Sequence, residues 1–288
     1  MKILSLLRTR SLKPSWTFTP ADAIWRLVPA RSGELVGEAR NQETKRVSFF
    51  ALDGNTGVPL WQNLTLDEQW WIGIEDIAAG VVLLHKFASP DMPQHRGIIA
   101  IDLRTGSPLW SNEELTFWFA NDASVYAHKM LFEKRIASEL DVHTGQTVRE
   151  FGEDLEPTLF VKREEAIRSN QDGLQFPEIG EFDRIDPSIA GMMKKELSAA
   201  DVRGPVEYAR MDKFLLMNYH IPAQESSEER PLLDNQLKIF NAVSGTVLYC
   251  DTIVHNSPAP VPDSFFVRKG TVHFIKDQKT LTAIHLAQ

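Results

Sequence analysis

One eleven-residue phrase occurs twice in this chain. Residues 51–61 read Ala-Leu-Asp-Gly-Asn-Thr-Gly-Val-Pro-Leu-Trp, and residues 100–110 read Ala-Ile-Asp-Leu-Arg-Thr-Gly-Ser-Pro-Leu-Trp. The shared pattern is Ala-x-Asp-x-x-Thr-Gly-x-x-x-Trp, with Gly57 and Gly106 lying 49 residues apart. Self-similarity at such a period points to a repeat architecture, in which each unit buries its apolar face only by stacking on its neighbours.

The phrase has a local physical logic. Apolar residues precede the Asp, as in a strand (Phe49, Phe50, Leu52; Ile98, Ile99, Ile101). An Asp carboxylate can accept from backbone N–H groups two residues on, and Gly accepts a positive φ, so Asp-x-x-Thr-Gly reads as a tight turn. A short strand ending in Trp follows. Degenerate copies occur at 139–149, with Asp141, Thr144 and Gly145 but Arg149 in place of Trp, and at 239–249, with Asn241, Ser244, Gly245 and Tyr249. A truncated copy, Leu281 to Gln288, ends the chain. Two further strand candidates precede each hairpin, for example Trp70–Glu75 and Val81–Phe87. Four antiparallel strands per unit of about 40–50 residues describe a propeller blade.

We therefore expect an all-β fold, a single β-propeller domain spanning 1–288. The last copy lacks a fourth strand, and Lys13 to Thr19 looks like one, with Trp16 as its Trp. The N-terminal strand is thus expected to complete the final blade and close the ring. Gly145 and Gly245 are 100 residues apart, where about 45 are expected. Either a further blade or an insertion fills that space. Thr158–Lys162 could be a strand. Asp186-Pro187 reads as a helix N-cap with Pro at the first helical position. Ile189, Met192, Met193 and Leu197 then fall on one helical face. This favours five blades and an insertion at 155–204 with a helix near 183–200; six blades is the alternative. The helix's apolar stripe must be covered, by the propeller's own side or by a partner.

The Asp-x-x-Thr-Gly-x-x-x-Trp phrase resembles the repeat of quinoprotein-like propellers of the pyrroloquinoline-quinone type. The layout is also similar to an uncharacterised bacterial propeller family known only as a domain of unknown function. The first resemblance implies that Ala51, Gly57 and Trp61, and Ala100, Gly106 and Trp110, dock neighbouring blades, with Trp16 doing so for the last. It implies architecture and not a cofactor. Quinone-binding relatives have eight blades and an adjacent-Cys disulfide, whereas this chain is too short for eight and has one cysteine, Cys250. We expect no cofactor.

Composition narrows the function classes. A net charge of −8 argues against a nucleic-acid surface, which needs clustered Lys and Arg, and gives no attraction to an anionic membrane. The only apolar stretch near the start is Ile3 to Leu7, shorter than the 7–15 residues of a secretory signal. With a single cysteine, this predicts a reducing, cytoplasmic setting.

Few residues read as chemistry. The eight histidines include no i,i+4 pair and no His-x-His, so no metal site is expected. Asp53-Gly-Asn55-Thr is oxygen-rich but lacks the spacing of a calcium loop. Cys250 sits beside Asp251, whose charge disfavours a thiolate. Trp71, Glu75, Trp118, Glu207, Tyr208 and Arg210 fall on or near innermost-strand candidates and are the expected lining of a central-channel ligand site. Two readings follow: a non-enzymatic binding propeller, most simply a protein-interaction scaffold, or a channel for a small molecule or glycan, with hydrolysis if two carboxylates converge.

Overall fold

The structure is a computed structural model and describes residues 11–89, 92–131, 134–151, 157–181 and 184–286. The apolar stretch Ile3–Leu7 and the first residues of the expected insertion lie outside these. The described chain is all-β, with five sheets of propeller-blade type. It divides into two compact units, Pro20–Asp172 on the one hand and residues up to Thr19 with Gly173–Gln288 on the other.

The Pro20–Asp172 unit holds three four-stranded blades, each an antiparallel meander in chain order. Blade 1 is β2 (Ala23–Pro29), β3 (Glu34–Asn41), β4 (Arg46–Asp53) and β5 (Pro59–Leu64). Blade 2 is β6 (Ile72–Ala78), β7 (Val81–Ser89), β8 (Met92–Asp102) and β9 (Pro108–Asn112). Blade 3 is β10 (Thr116–Ala120), β11 (Ser124–Leu131), β12 (Lys134–Asp141) and β13 (Thr147–Glu150). Blades 1 and 2 share an apolar core that includes Val36, Phe49, Ala51, Ile72, Val82 and Ile101. Blades 2 and 3 share another, with Leu83, Ala100, Val125 and Leu140. Burial between stacked sheets is what makes the repeats interdependent.

The repeat phrase builds this stacking at atomic detail. Asp102 Oδ1 accepts from the backbone N–H of Arg104 and Thr105 and from the Thr105 hydroxyl, at 2.8–3.0 Å. Asp53 and Asp141 do the same in their own turns. Gly106 and Gly145 then adopt φ of 70° and 68°, a region costly for residues with a Cβ. The Trp that ends one copy lies on the turn of the next. Trp61 Nε1 donates to the Leu103 carbonyl at 2.8 Å, and Trp110 Nε1 to that of Val142 at 2.9 Å. A Cβ on Gly106 would stand 3.1 Å from the Trp61 ring, and one on Gly145 only 2.5 Å from the Trp110 ring. The Gly and the Trp of the phrase are therefore two halves of one inter-blade contact. Ala51 pairs with Trp61 and Ala100 with Trp110 across the last two strands, where a small residue leaves room for the indole.

The second unit holds two blades. Blade 4 is β16 (Arg203–Met211), β17 (Phe214–Pro222), β18 (Leu233–Asn241) and β19 (Val247–Ser257); blade 5 is β20 (Phe265–Arg268), β21 (Thr271–Lys276) and β22 (Thr280–His285). As the sequence implied, blade 5 takes its outer strand from the other end of the chain: β1 (Trp16–Phe18) pairs antiparallel with β22, Trp16 opposite Ala283. That register repeats the Trp–Ala pairing of blades 1 and 2. In blade 4 Tyr249 replaces the Trp and Ile239 the Ala, and the Tyr249 ring lies 6.1 Å from Phe274 of blade 5. Both blades gain a short inner strand, β14 (Leu174–Gln175) on β20 and β15 (Glu178–Ile179) on β16.

Two helices fall between blade 3 and blade 4 in chain order. Thr158–Lys162 is not a strand, as the sequence suggested, but the first part of α1 (Pro157–Asn170). Its apolar run Leu159, Phe160, Val161 imitates a buried strand, and periodicity alone does not separate the two over so short a stretch. Helix α2 (Pro187–Leu197) begins as expected, with Asp186 capping the Ser188 N–H and Pro187 in the first turn. Its stripe is covered by blade 4: Ile189 and Met193 are buried with Val206, Leu215, Met217, Tyr219 and Phe240. No sixth four-stranded sheet occurs among the described residues. No helix among them is long and apolar enough to cross a membrane.

Candidate functional site

The bulges of blades 2 and 3 set out the site. In β6 the register with β7 shifts between Ile74 and Asp76, leaving Glu75 as the extra residue. In β10 the equivalent shift leaves Trp118. A bulge re-aims the residue it carries. A second irregularity in blade 2 lies between β7 and β8, where Leu84 faces Ile99 and Lys86 faces Arg96. Gly97 takes up the bend with φ of 77°. His95 then faces Phe87, two residues from His85 on the same face of β7, because side chains two apart share a face.

The outcome is a compact cluster of Glu75, His85 and His95. The two imidazoles stack with centroids 3.5 Å apart and planes within 6°. Glu75 Oε1 lies 2.6 Å from His95 Nδ1 and 3.3 Å from His85 Nδ1. The donor atoms of all three lie within 4.8 Å of one another. Phe87 closes one side, edge-on to both rings, with Trp71 beyond it. Gly73 opposes His85 across the strands, and a Cβ there would come within 3.0 Å of the imidazole. The missing side chain is what seats the ring. Beneath lies Glu38, buried, paired with Arg40 and accepting from the Ile74 N–H.

The electrostatics follow from burial. His85 is only 3% exposed, and neither ring nitrogen has a hydrogen-bond partner among the described residues. Burial, with the nearby charge of His95, Arg26 and Arg40, pushes its pKa down to about 3. It is therefore a neutral imidazole with lone-pair capacity unused. Burial pushes the Glu75 carboxyl up, opposed by His95 and Arg26. Asp76, next in the chain, is raised to about 6 by burial, against the Ile77 backbone N–H that stabilises its anion. His95 and Glu75 keep an opening to solvent, their side chains being 33% and 13% exposed.

The other residues expected to line a channel have separate surroundings. Trp71 is partly exposed and packs on Trp70 and Phe87, just before β6 rather than within it. Trp118 packs between Phe119 and Phe160. Glu207 is buried on β16 and accepts from the backbone N–H groups of Asp263 and Ser264, at 2.7 and 3.3 Å. That is a structural job, tying the entry of blade 5 to blade 4. Tyr208 donates to Glu178, and the Arg210 carbonyl accepts from Gln175, so both hold the segment carrying β14 and β15. The spacing of His85 and His95 along the chain does not reveal their pairing, because they are ten residues apart on different strands; the bulge at Gly97 aligns them.

A polar cavity of about 370 Å³ opens elsewhere in the first unit, lined by blade turns that include Arg31, Glu34, Asp102, Arg104, Asp122 and His143. Its main charges are paired with each other, Arg31 with Asp122 at 2.8 Å and Arg104 with Glu34 at 3.8 Å. Helix α1 presents a different kind of surface: Leu159 and Ala166 are buried against blade 3, while Phe160, Val161 and Ile167 remain 51%, 57% and 38% exposed.

Comparison with known proteins adds a family likeness for part of the chain. Residues 28–110, which run from the end of β2 to Trp110, match a domain of unknown function, DUF4905. None of the curated proteins compared with the chain matches it. Among solved structures, an uncharacterised protein from Listeria monocytogenes is similar at 11% identity, covering 91% of this chain and 94% of that one, with a TM-score of 0.35. The β-propeller domain of the trilobed protease from Pyrococcus furiosus is similar at 12% identity over 88% of this chain and 79% of that one, with a TM-score of 0.31. The chain is thus a five-bladed all-β protein of propeller type, with a DUF4905 match confined to its first two blades.

Proposed function

We propose that this chain is a non-enzymatic binding propeller that acts as a protein-interaction scaffold, and that its contact surface is centred on α1. The observation that carries this is the exposed apolar side of that helix. Phe160 and Ile167 are two turns apart and so share a face, with Val161 beside them. Phe160 stacks edge-on with Trp118 at 5.6 Å, which extends the patch onto blade 3. Contiguous exposed apolar groups with charged neighbours are a common mark of protein contact sites. Helix α2, the other candidate for such a role, spends its stripe on blade 4. The residues of the repeat phrase are likewise consumed by turns and blade docking, which favours a scaffold over an enzyme. The hydrolytic alternative needs two carboxylates facing a common space; Glu75 is bound to His95 and Glu207 to two backbone amides.

The test is site-specific photocrosslinking in cells. A photoreactive residue at position 160 is expected to give a discrete crosslinked species. That species should disappear when Val161 and Ile167 are both changed to Glu. The same probe at Val243, which is 87% exposed in a turn of blade 4, serves as the control. Equal, diffuse crosslinking at both positions would rule this surface out.

A further inference from the structure

We infer that Glu75, His85 and His95 form a binding site for a divalent first-row transition-metal ion, with Zn²⁺ the natural occupant. Two imidazoles and one carboxylate are a donor set suited to Zn²⁺, Fe²⁺ or Ni²⁺ and poorly suited to Ca²⁺ or Mg²⁺, which prefer all-oxygen surroundings.

Three features of the cluster argue for a built site rather than a chance meeting of polar groups. First, His85 is buried and without a hydrogen bond from either nitrogen among the described residues. Leaving such a group unpaired in the interior is costly, and a coordinated cation would satisfy it directly. Second, the backbone is shaped around the ring. Gly73 gives the imidazole the space a Cβ would fill, and Gly97 bends β8 so that His95 comes alongside. Third, the spacing suits coordination. Metal–ligand bonds of about 2.0–2.1 Å in a tetrahedron place neighbouring donors about 3.3 Å apart. His85 Nδ1 and Glu75 Oε1 stand at 3.3 Å. His95 Nδ1 is closer, at 2.6 Å, held by a hydrogen bond to the same oxygen. Binding would replace that bond and turn the two stacked rings apart. His95 is the most exposed member, its side chain one-third open to solvent, and has the freedom to do so. Its exposure also gives the ion a path in and leaves a coordination position for water. Glu38 and Arg40 lie below the cluster, and Arg26 donates to the Ile74 carbonyl. They fix the strand that carries Glu75.

The experiment is a titration of the full-length, metal-stripped chain with ZnCl₂ by calorimetry, paralleled by Co²⁺ and its visible absorption. One equivalent should bind with a Kd of about 1 µM or below, and Co²⁺ should give the intense bands of a low-coordinate nitrogen–oxygen site. Glu75→Gln, which keeps the shape, and His95→Ala, at the most exposed ligand, should each weaken binding by at least about tenfold, with circular dichroism unchanged. His255→Ala, which removes the half-exposed partner of Asp277, should bind as the wild type does. No binding at about 1 mM Zn²⁺, or equal affinity in wild type, Glu75→Gln and His95→Ala, would overturn the proposal. So would loss of binding in His255→Ala alone.

Discussion

Trp110 shows how much one side chain can do in a repeat protein. Its indole N–H bonds the Val142 carbonyl and its ring covers Gly145, so that it couples blade 2 to blade 3. Trp110→Ala removes both the bond and the ring and should destabilise the chain by about 3 kcal/mol, measured by urea unfolding. A second residue-scale prediction concerns His220. It is buried on β17, and its Nε2 accepts from the Val261 N–H, so the neutral ring is the one that fits. Burial lowers its pKa. The unfolded chain takes up a proton as pH falls below about 6.5, while the folded chain resists it, so stability is present above that value and lost on acidification. His220→Gln keeps an acceptor and cannot titrate. The drop in urea midpoint between pH 7.5 and 5.5 should therefore be smaller in the variant than in the wild type.

At the scale of elements, the two helices were legible to different degrees. For α2 every signal agrees: an Asp cap, Pro in the first turn and an apolar stripe at helical spacing. Its packing follows, and Met193→Ala, fully buried against blade 4, should cost about 2–5 kcal/mol in thermal or urea melts. For α1 the signals conflict. Leu159, Phe160 and Val161 are consecutive, with no polar alternation and no single apolar face, because Phe160 and Val161 remain exposed. A helix whose apolar residues point in several directions imitates a strand, and only its contacts with Phe119 and Tyr126 fix its state. The blades were legible because alternation and the Asp-x-x-Thr-Gly turn mark their strands. The bulges at Glu75 and Trp118 were not, since an extra residue in one strand is defined only by the partner that skips it.

At the scale of the molecule, the chain's two ends meet in one sheet. β1 contributes three residues of pairing to β22, and the Ser15 N–H donates to Ala283. Deleting residues 1–19 leaves the β22 edge with unpaired backbone groups, a template for association with other chains. The truncated protein should melt at lower temperature and form soluble aggregates by size-exclusion chromatography; an unchanged melting point with a monomeric profile would contradict that role.

What the sequence determined by itself was the repeat: the four-stranded blade, its turns, the docking of Trp61 and Trp110, and the strand shared between the two ends; that there are five blades and not six came from the sheets themselves. The turns and strands are written in residues close together in the chain, and the shared strand is legible because each end carries the part of the periodic unit that the other lacks. What the tertiary structure alone decided was the candidate chemistry. Glu75, His85 and His95 come from three strands, and Glu207 accepts from the amides of Asp263 and Ser264, 56 and 57 residues further along the chain. Spacing along the chain carries no record of such meetings, because strand register and bulges set which distant side chains share a face.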